Sequence, residues 1–201
     1  MEPLVKIDLE KVINDDKPLV IELGGGKKSR QDRITIDKLD LPNVDIVADV
    51  ENGLPFLPDD SVDEIHCRSM LEHVYNFEYL IREIVRVLKK SGKVHIFVPH
   101  FSNPYYYSDY THKRFFGLYT FYYFVDEEKQ LKRKVPSFYT DIRIKIISQR
   151  LIFRSPFWLS RQIKKAFGFI INSSKFFMEF YELHLCYIFP CHGIEIMFVP
   201  D

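Results

Sequence analysis

A chain of 201 residues is the size of one domain and can bury a substantial apolar core. Its 28 basic and 28 acidic side chains cancel, so it lacks the basic excess of a nucleic-acid binder, and no nucleic-acid partner is expected. No apolar run reaches the ~18 residues of a membrane span. The N-terminal Met1-Glu2-Pro3 lacks the basic and apolar regions of a secretory leader, and Cys67, Cys186 and Cys191 lack metal-type pairing. Together these read as a cytoplasmic protein with reduced core thiols.

Residues 4–14 fit a short helix or an extended lead-in, and the pattern does not choose. Leu19-Val20-Ile21 runs through Glu22-Leu23 to Gly24-Gly25-Gly26, a buried strand over about 19–23 stopped by a glycine turn. Ile34-Thr35-Ile36 ends in Asp37, and Val44-Asp45-Ile46-Val47-Ala48 ends in Asp49. These are predicted strands over about 33–37 and 45–49. A fourth strand, Val62 to Cys67, follows the turn Pro58-Asp59-Asp60-Ser61. From near Asn76 the apolar positions Leu80, Ile81, Ile84, Val85, Val87 and Leu88 keep a 3.6-residue period. That predicts a helix closed by Lys89-Lys90-Ser91-Gly92, a basic last turn with a glycine cap. Val94 to Val98 is the fifth strand, closed by Pro99.

Beyond Pro99, residues 100–110 are loop-like and rich in Tyr, Ser and Asn, and 118–134 is expected to hold a helix with Phe121, Tyr122 and Phe124 on one face. Residues 142–153 alternate as a long strand, 156–190 read as helical and aromatic, and 194–199 as a last strand. The aromatic side chains of 156–190, Phe157, Trp158, Phe167, Phe169, Phe176, Phe177, Phe180 and Tyr181 among them, are expected in the core, a lid or a dimer face, with core packing the default. A membrane-surface role is the minority reading, supported by Arg161, Lys164, Lys165 and Lys175.

Alternating strands and helices argue a mostly parallel α/β sheet, in which ligands bind outside the carboxyl ends of the strands. Three successive strand ends therefore deliver a glycine turn and two carboxylates, Asp37 and Asp49, to one crevice.

Four ordered motifs carry a resemblance to the class I S-adenosylmethionine-dependent methyltransferases, those with a type 11 domain in particular. They are Val20-Ile21-Glu22-Leu23-Gly24-Gly25-Gly26, Leu54-Pro55-Phe56 followed by Ser61-Val62-Asp63, Met70-Leu71-Glu72-His73-Val74, and Arg86 through Lys93. The resemblance implies a single Rossmann-like domain over 1–201. Its mostly parallel sheet would carry an antiparallel edge hairpin and a helical aromatic C-terminal insertion. The cofactor core would be about 18–100, a substrate-side loop and helix about 100–135, and the insertion about 156–190. S-adenosylmethionine is the implied cofactor. Gly24, Gly25 and Gly26 would admit its methionine part, with Glu22 near its amino-acid end. Asp37 would hold the ribose hydroxyls and Asp49 the adenine amine, with Lys38, Val50, Ser69 and Leu71 alongside.

Only residues 24–32 separate the first two strands, where a parallel crossover normally needs about a dozen and usually a helix. The first helix is expected to shrink to about one turn, and Lys28 stands where the motif usually has its third glycine. Asp109-Tyr110-Thr111-His112-Lys113-Arg114-Phe115-Phe116 resembles a substrate-side motif of one subset of these enzymes. It offers His112 as base or acceptor-positioning residue and Asp109 as its orienter. His100, Tyr105, Tyr106 and Arg114 are expected to line the acceptor. Glu72 and His73 alone are too few for a metal site, so none is expected.

The expected reaction is methyl transfer to a small-molecule or glycan-type acceptor, with O-methylation favoured. Two alternatives stay open: a non-catalytic cofactor-binding subunit, and a nicotinamide oxidoreductase. The second should show G-x-G-x-x-G opening a full helix, which Lys27-Lys28 and the short gap do not provide. A homodimer through the aromatic C-terminal segment is a further expectation.

Overall fold

The computed structural model describes residues 2–26 and 32–201. The reduced first helix expected after Gly26 falls on residues 27–31, outside the described residues. The strands are β1 (Leu4–Val5), β2 (Val20–Leu23), β3 (Ile34–Asp37), β4 (Ile46–Val47), β5 (Val62–Arg68), β6 (Leu88–Pro99), β7 (Ile144–Ile152) and β8 (Gly193–Pro200). The helices are α1 (Leu9–Ile13), α2 (Phe77–Val87), α3 (Trp158–Ile171) and α4 (Lys175–His184).

The strands form one sheet in the order β1-β4-β3-β2-β5-β6-β8-β7. From β4 to β6 every pairing is parallel, and β8 and β7 add the antiparallel hairpin at one edge. The expected mostly parallel sheet, edge hairpin and helical insertion between its strands are all present. The order reverses at β2, whose neighbours are β3 and β5, so a crevice opens at their carboxyl ends.

The open lead-in resolves into both alternatives. Leu4–Val5 pairs antiparallel with β4, and Leu9–Ile13 is helical with the Asp8 side chain accepting from the Lys11 amide.

Three expectations are corrected. First, Lys89 to Gly92 does not cap α2. The helix ends at Val87, Leu88 is already extended, and β6 begins there. Val62 pairs with Leu88 and Glu64 with Lys93, so two steps on β5 face five on β6. Residues 89–92 stand opposite the single residue Asp63 in this bulge. Gly92 serves a close backbone approach, since a Cβ there would stand 3.0 Å from the Val62 carbonyl oxygen.

Second, residues 118–134 form no long helix, only short 3₁₀ turns at Thr120–Phe124 and Glu127–Lys129. Aromatic residues are modest helix formers, and the buried Gln130 amide supplies what a helix would. It donates to the carbonyls of Tyr122, Val125 and Val135 at 2.9–3.1 Å.

Third, the aromatic insertion is helical but is mostly not core. Tyr181 is fully buried, while Phe157, Trp158 and Phe169 are 72%, 69% and 81% exposed.

One sheet face is packed and the other is wet. Ile21, Leu23, Ile65, Val94, Ile196 and Phe198 are buried, and Phe77 of α2 stacks edge-on against Phe116 and Phe121 over that side. The alternating residues Glu64, His66, His95, Glu195 and Met197 are only half-buried. Parallel strands are normally covered on both faces. Here the groove over Glu22, His66, His95, Glu195 and Met197 on the second face is lined by no residue of a described helix.

Below the crevice, Arg86 of α2 ties helix to loop. Its guanidinium donates to both Glu83 carboxylate oxygens at 2.8 Å and to the carbonyls of Leu54 and Leu57 at 2.9 and 3.0 Å. Glu83 also accepts the Leu54 amide at 2.8 Å, and Arg86 holds its carboxyl below the usual range. Removing the cation strands a nearly buried carboxylate. Arg86→Ala is expected to lower unfolding free energy by about 2–4 kcal/mol in urea titrations, and a loss below about 1 kcal/mol would contradict this role.

Candidate active site

The crevice begins with Gly24, which follows β2 at φ +74°. A Cβ there would lie 2.5 Å from Met70 Cγ, and the Gly24 amide donates to the Ile36 carbonyl at 2.8 Å. Only glycine turns the chain so close to its neighbour. Gly25 packs on β3, where a Cβ would meet Thr35 Cγ2 at 2.3 Å. The Gly26 amide donates to Asp37 Oδ2 at 3.0 Å.

Asp37 also accepts the Leu39 amide through Oδ1 at 2.9 Å. Each oxygen keeps a lone-pair direction, so the carboxylate is held in place and still able to accept from a diol. Asp49 caps the turn Val50–Asn52, accepting the Glu51 amide at 3.0 Å. Ser69, after β5, is held at φ +50° with its amide donating to the Phe97 carbonyl at 2.8 Å. Non-glycine residues rarely sit there, and such strain gathers at functional sites.

These ends line one cavity of about 660 Å³ that contains Gly24, Asp37, Lys38, Asp49, Val50, Ser69, Met70 and His73, and is walled further by Tyr75, Tyr110, Thr111 and Lys113. That size lies within the range of small-molecule sites. A groove of similar size, about 630 Å³, runs along α4 past Phe176, Phe180 and Tyr187, but it has no strand ends.

Six of the ten residues expected at the cofactor thus meet: Gly24, Asp37, Lys38, Asp49, Val50 and Ser69. Gly25 and Gly26 shape the turn behind them. Leu71 is fully buried and does not line the cavity. Glu22 is not brought there. It lines a groove on the wet sheet face with Arg33, His66 and His95, its Oε2 standing 3.8 Å from Arg33.

The acceptor-side residues divide differently. His100 is fully buried, with Nδ1 against Ser102 Oγ and Nε2 against Glu182 Oε2, each at 2.8 Å. Arg114 donates to the carbonyls of Val74 and Tyr75, Tyr106 donates to the Arg114 carbonyl, and Tyr105 is exposed. These four brace or flank the loop and do not line the cavity.

His112 faces the Tyr106 carbonyl through Nδ1 at 2.9 Å, which leaves Nε2 as the bare nitrogen, 3.6 Å from Asp109. Its ring meets His73 edge-on at 4.9 Å, and it is His73 that faces the cavity. Asp109 accepts from Thr111, and Thr111 Oγ1 lies 3.0 Å from His73 Nδ1. Burial pushes the His73 pKa down, which keeps its imidazole neutral, while hydrogen bonds from Thr111 hold the Asp109 carboxyl low. His73 is thus a cavity residue, weighed from the sequence as a metal ligand. Its signal was adjacency to Glu72 in a loop at a strand's carboxyl end.

Behind them Glu72 is buried, and its Oε2 finds no hydrogen-bond partner among the described residues. Glu72, His73 and His112 each offer a ligand atom within 4.8 Å of the others, as do Glu64, His66 and His95 on the wet face.

A family model described as a methyltransferase domain matches residues 26–96. A solved S-adenosylmethionine-dependent methyltransferase of Archaeoglobus fulgidus aligns at a TM-score of 0.52 and 15% identity, covering 92% of this chain and 86% of its own. The YcgJ protein of Bacillus subtilis aligns at 0.51 and 16%, covering 96% and 97%. No curated protein matches the sequence. Residues 26–96 thus match a methyltransferase-domain model, and the fold is that of the class I S-adenosylmethionine-dependent methyltransferases. The crevice fits S-adenosylmethionine: a side-chain-free turn at Gly24 where a backbone must come close, then carboxylates ending adjacent strands.

Glu72 gives the fold a pH signature. Burial, with Asp109 nearby, raises its carboxyl from the ordinary 4.5 to about 7. Between those values the folded chain binds a proton that the unfolded chain has released, so stability falls as pH rises through that window. Glu72→Gln is expected to flatten the dependence and to be more stable than the parent at pH 8 by something on the order of 3 kcal/mol. Urea titrations at pH 5 and pH 8 check this, and an unchanged slope in the variant would contradict it.

Proposed function

We propose that this methyltransferase modifies a hydroxyl of a small-molecule or glycan-type acceptor. The carrying observation is that Gly24, Asp37, Asp49 and His73 share one cavity. When bound, S-adenosylmethionine supplies a methyl group already activated by its sulfonium. In this reading Asp37 accepts from the ribose hydroxyls, Asp49 takes the adenine amine, and the whole described chain serves as one domain. Residues 18–100 hold the cofactor, and the loop after β6 supplies the acceptor side.

The chain's remaining work is to align the acceptor and to accept its proton, and alignment alone can supply about 7–11 kcal/mol. His73 is the proton acceptor of this proposal, since its neutral imidazole reaches the cavity. His112 is a positioning residue, packed edge-on against His73, with Asp109 and Thr111 fixing the other side. Tyr75 and Tyr110 offer aromatic faces that suit a sugar ring or a phenol. A cytoplasmic setting is part of the proposal, supported by three free, buried cysteines and by the lack of any helix, among the described residues, long and apolar enough to cross a membrane.

The test is transfer of labelled methyl from S-adenosylmethionine to a panel of hydroxyl-bearing sugars and phenols. His73→Ala is expected to lose about 10²–10⁴ in turnover and His112→Ala less, with cofactor affinity near parental in both. Parental turnover in both variants would refute the assignment. Tight cofactor binding with no transfer by the parent would favour a non-catalytic subunit.

A further inference from the structure

The α3 helix presents the wrong face outward for a soluble protein. Leu159, Ile163 and Ile170 are 64%, 53% and 54% exposed and share one helical stripe with Ala166, at spacings of four, three and four. Trp158 and Phe169 stand beside it, also exposed. The fold uses the flank beside this stripe, where Phe167 packs against Phe153 and Tyr181 and Ile171 is buried. So the helix is already docked, and its second apolar stripe is surplus to the core.

The charge around that stripe is one-sided. From Arg154 to Met178 the sequence contains Arg154, Arg161, Lys164, Lys165 and Lys175 and no Asp or Glu. The acids that follow in α4 are turned inward. Glu179 accepts the amides of Lys132 and Arg133, and Glu182 binds the Leu118 amide and His100. A second copy docking here about a two-fold axis would set five cations against five. An acidic protein would satisfy the lysines but leave the apolar stripe without a matched hollow. A bilayer with anionic headgroups satisfies both, because its interface takes apolar side chains to a depth of about 5–10 Å and attracts cations along the rim.

We propose that α3 is an interfacial membrane anchor that seats the protein on an anionic lipid surface. The helix is about 21 Å long and lies along the bilayer, with Leu159, Ile163 and Ile170 in the acyl boundary and Trp158 at headgroup level. Lys165 and Lys175 engage lipid phosphates. Lys164 is partly committed elsewhere, donating to the Pro190 carbonyl at 3.2 Å.

Trp158 is the sole tryptophan, so its emission reports this helix alone. The full chain is mixed with vesicles of phosphatidylcholine containing about one-third phosphatidylglycerol, and with phosphatidylcholine alone. The expected result is a blue shift and protection from acrylamide on the anionic vesicles, weakened by high salt and much smaller on the neutral ones. Ile163→Asp should lower the partition coefficient at least roughly tenfold, and Lys165→Gln and Lys175→Gln about fivefold each. All three positions are exposed, and the parent measurement needs no variant. No Trp158 shift on anionic vesicles would overturn the proposal, whether or not vesicles sediment protein. Trp158 shielded before lipid is added, in a dimer that Ile163→Asp dissolves, would assign the face to a second copy instead.

Discussion

The turn at Gly24 is the constraint on which the site depends. At φ +74°, with Met70 leaving no room for a Cβ, the chain leaves β2, and ten residues separate its end from the start of β3. The parallel pairs Leu23 with Ile36 and Leu23 with Cys67 set the strand ends side by side. Asp37 and Asp49 reach the crevice because β3 and β4 end there in register. Asp37 then fastens the turn itself by accepting the Gly26 amide. The groups read as gripping the cofactor thus also hold the loop that admits it, and loss of Asp37 would loosen both.

Part of the second face of the sheet is open. There β5 and β6 present His66 and His95 to a wet groove of about 430 Å³. The parallel strands accordingly alternate polar and apolar residues where a sheet buried on both faces would carry continuous apolar runs. The histidine rings stack at 4.8 Å, and Arg33 lowers the His66 pKa in addition to burial, which acts most. The fold keeps its crevice because the site needs strand ends and one packed face.

The legible part of this architecture was the part governed by backbone pattern. Short apolar runs ending in glycine or a carboxylate marked β2, β3 and β4, and alternation marked β7. The same signals misled where side chains replaced backbone bonding. Gln130 satisfies the carbonyls that a helix over 118–134 would have used, and Gly92 serves a bulge in a sequence that reads as a helix cap. β1 is two exposed residues, too short for any period. In the site, Asp37 and Asp49 could be read because they end strands. His100 and Arg114 could not be sorted from cavity residues, since the same loop chemistry serves buried hydrogen bonds and ligands alike. The exposed stripe of α3 was equally opaque, because an apolar helix face reads the same whether it meets the core or a membrane.

The central claim is that the crevice between β2, β3 and β4 binds S-adenosylmethionine through Asp37. Calorimetric titration of the parent and of Asp37→Ala tests it most directly. An ionised acceptor contributes about 1.5–3 kcal/mol, so the account expects one molecule bound per chain and affinity at least about tenfold weaker in the variant, with unchanged far-ultraviolet dichroism. Equal affinity in the two proteins, or tight binding of NADH in place of S-adenosylmethionine by the parent, would contradict it.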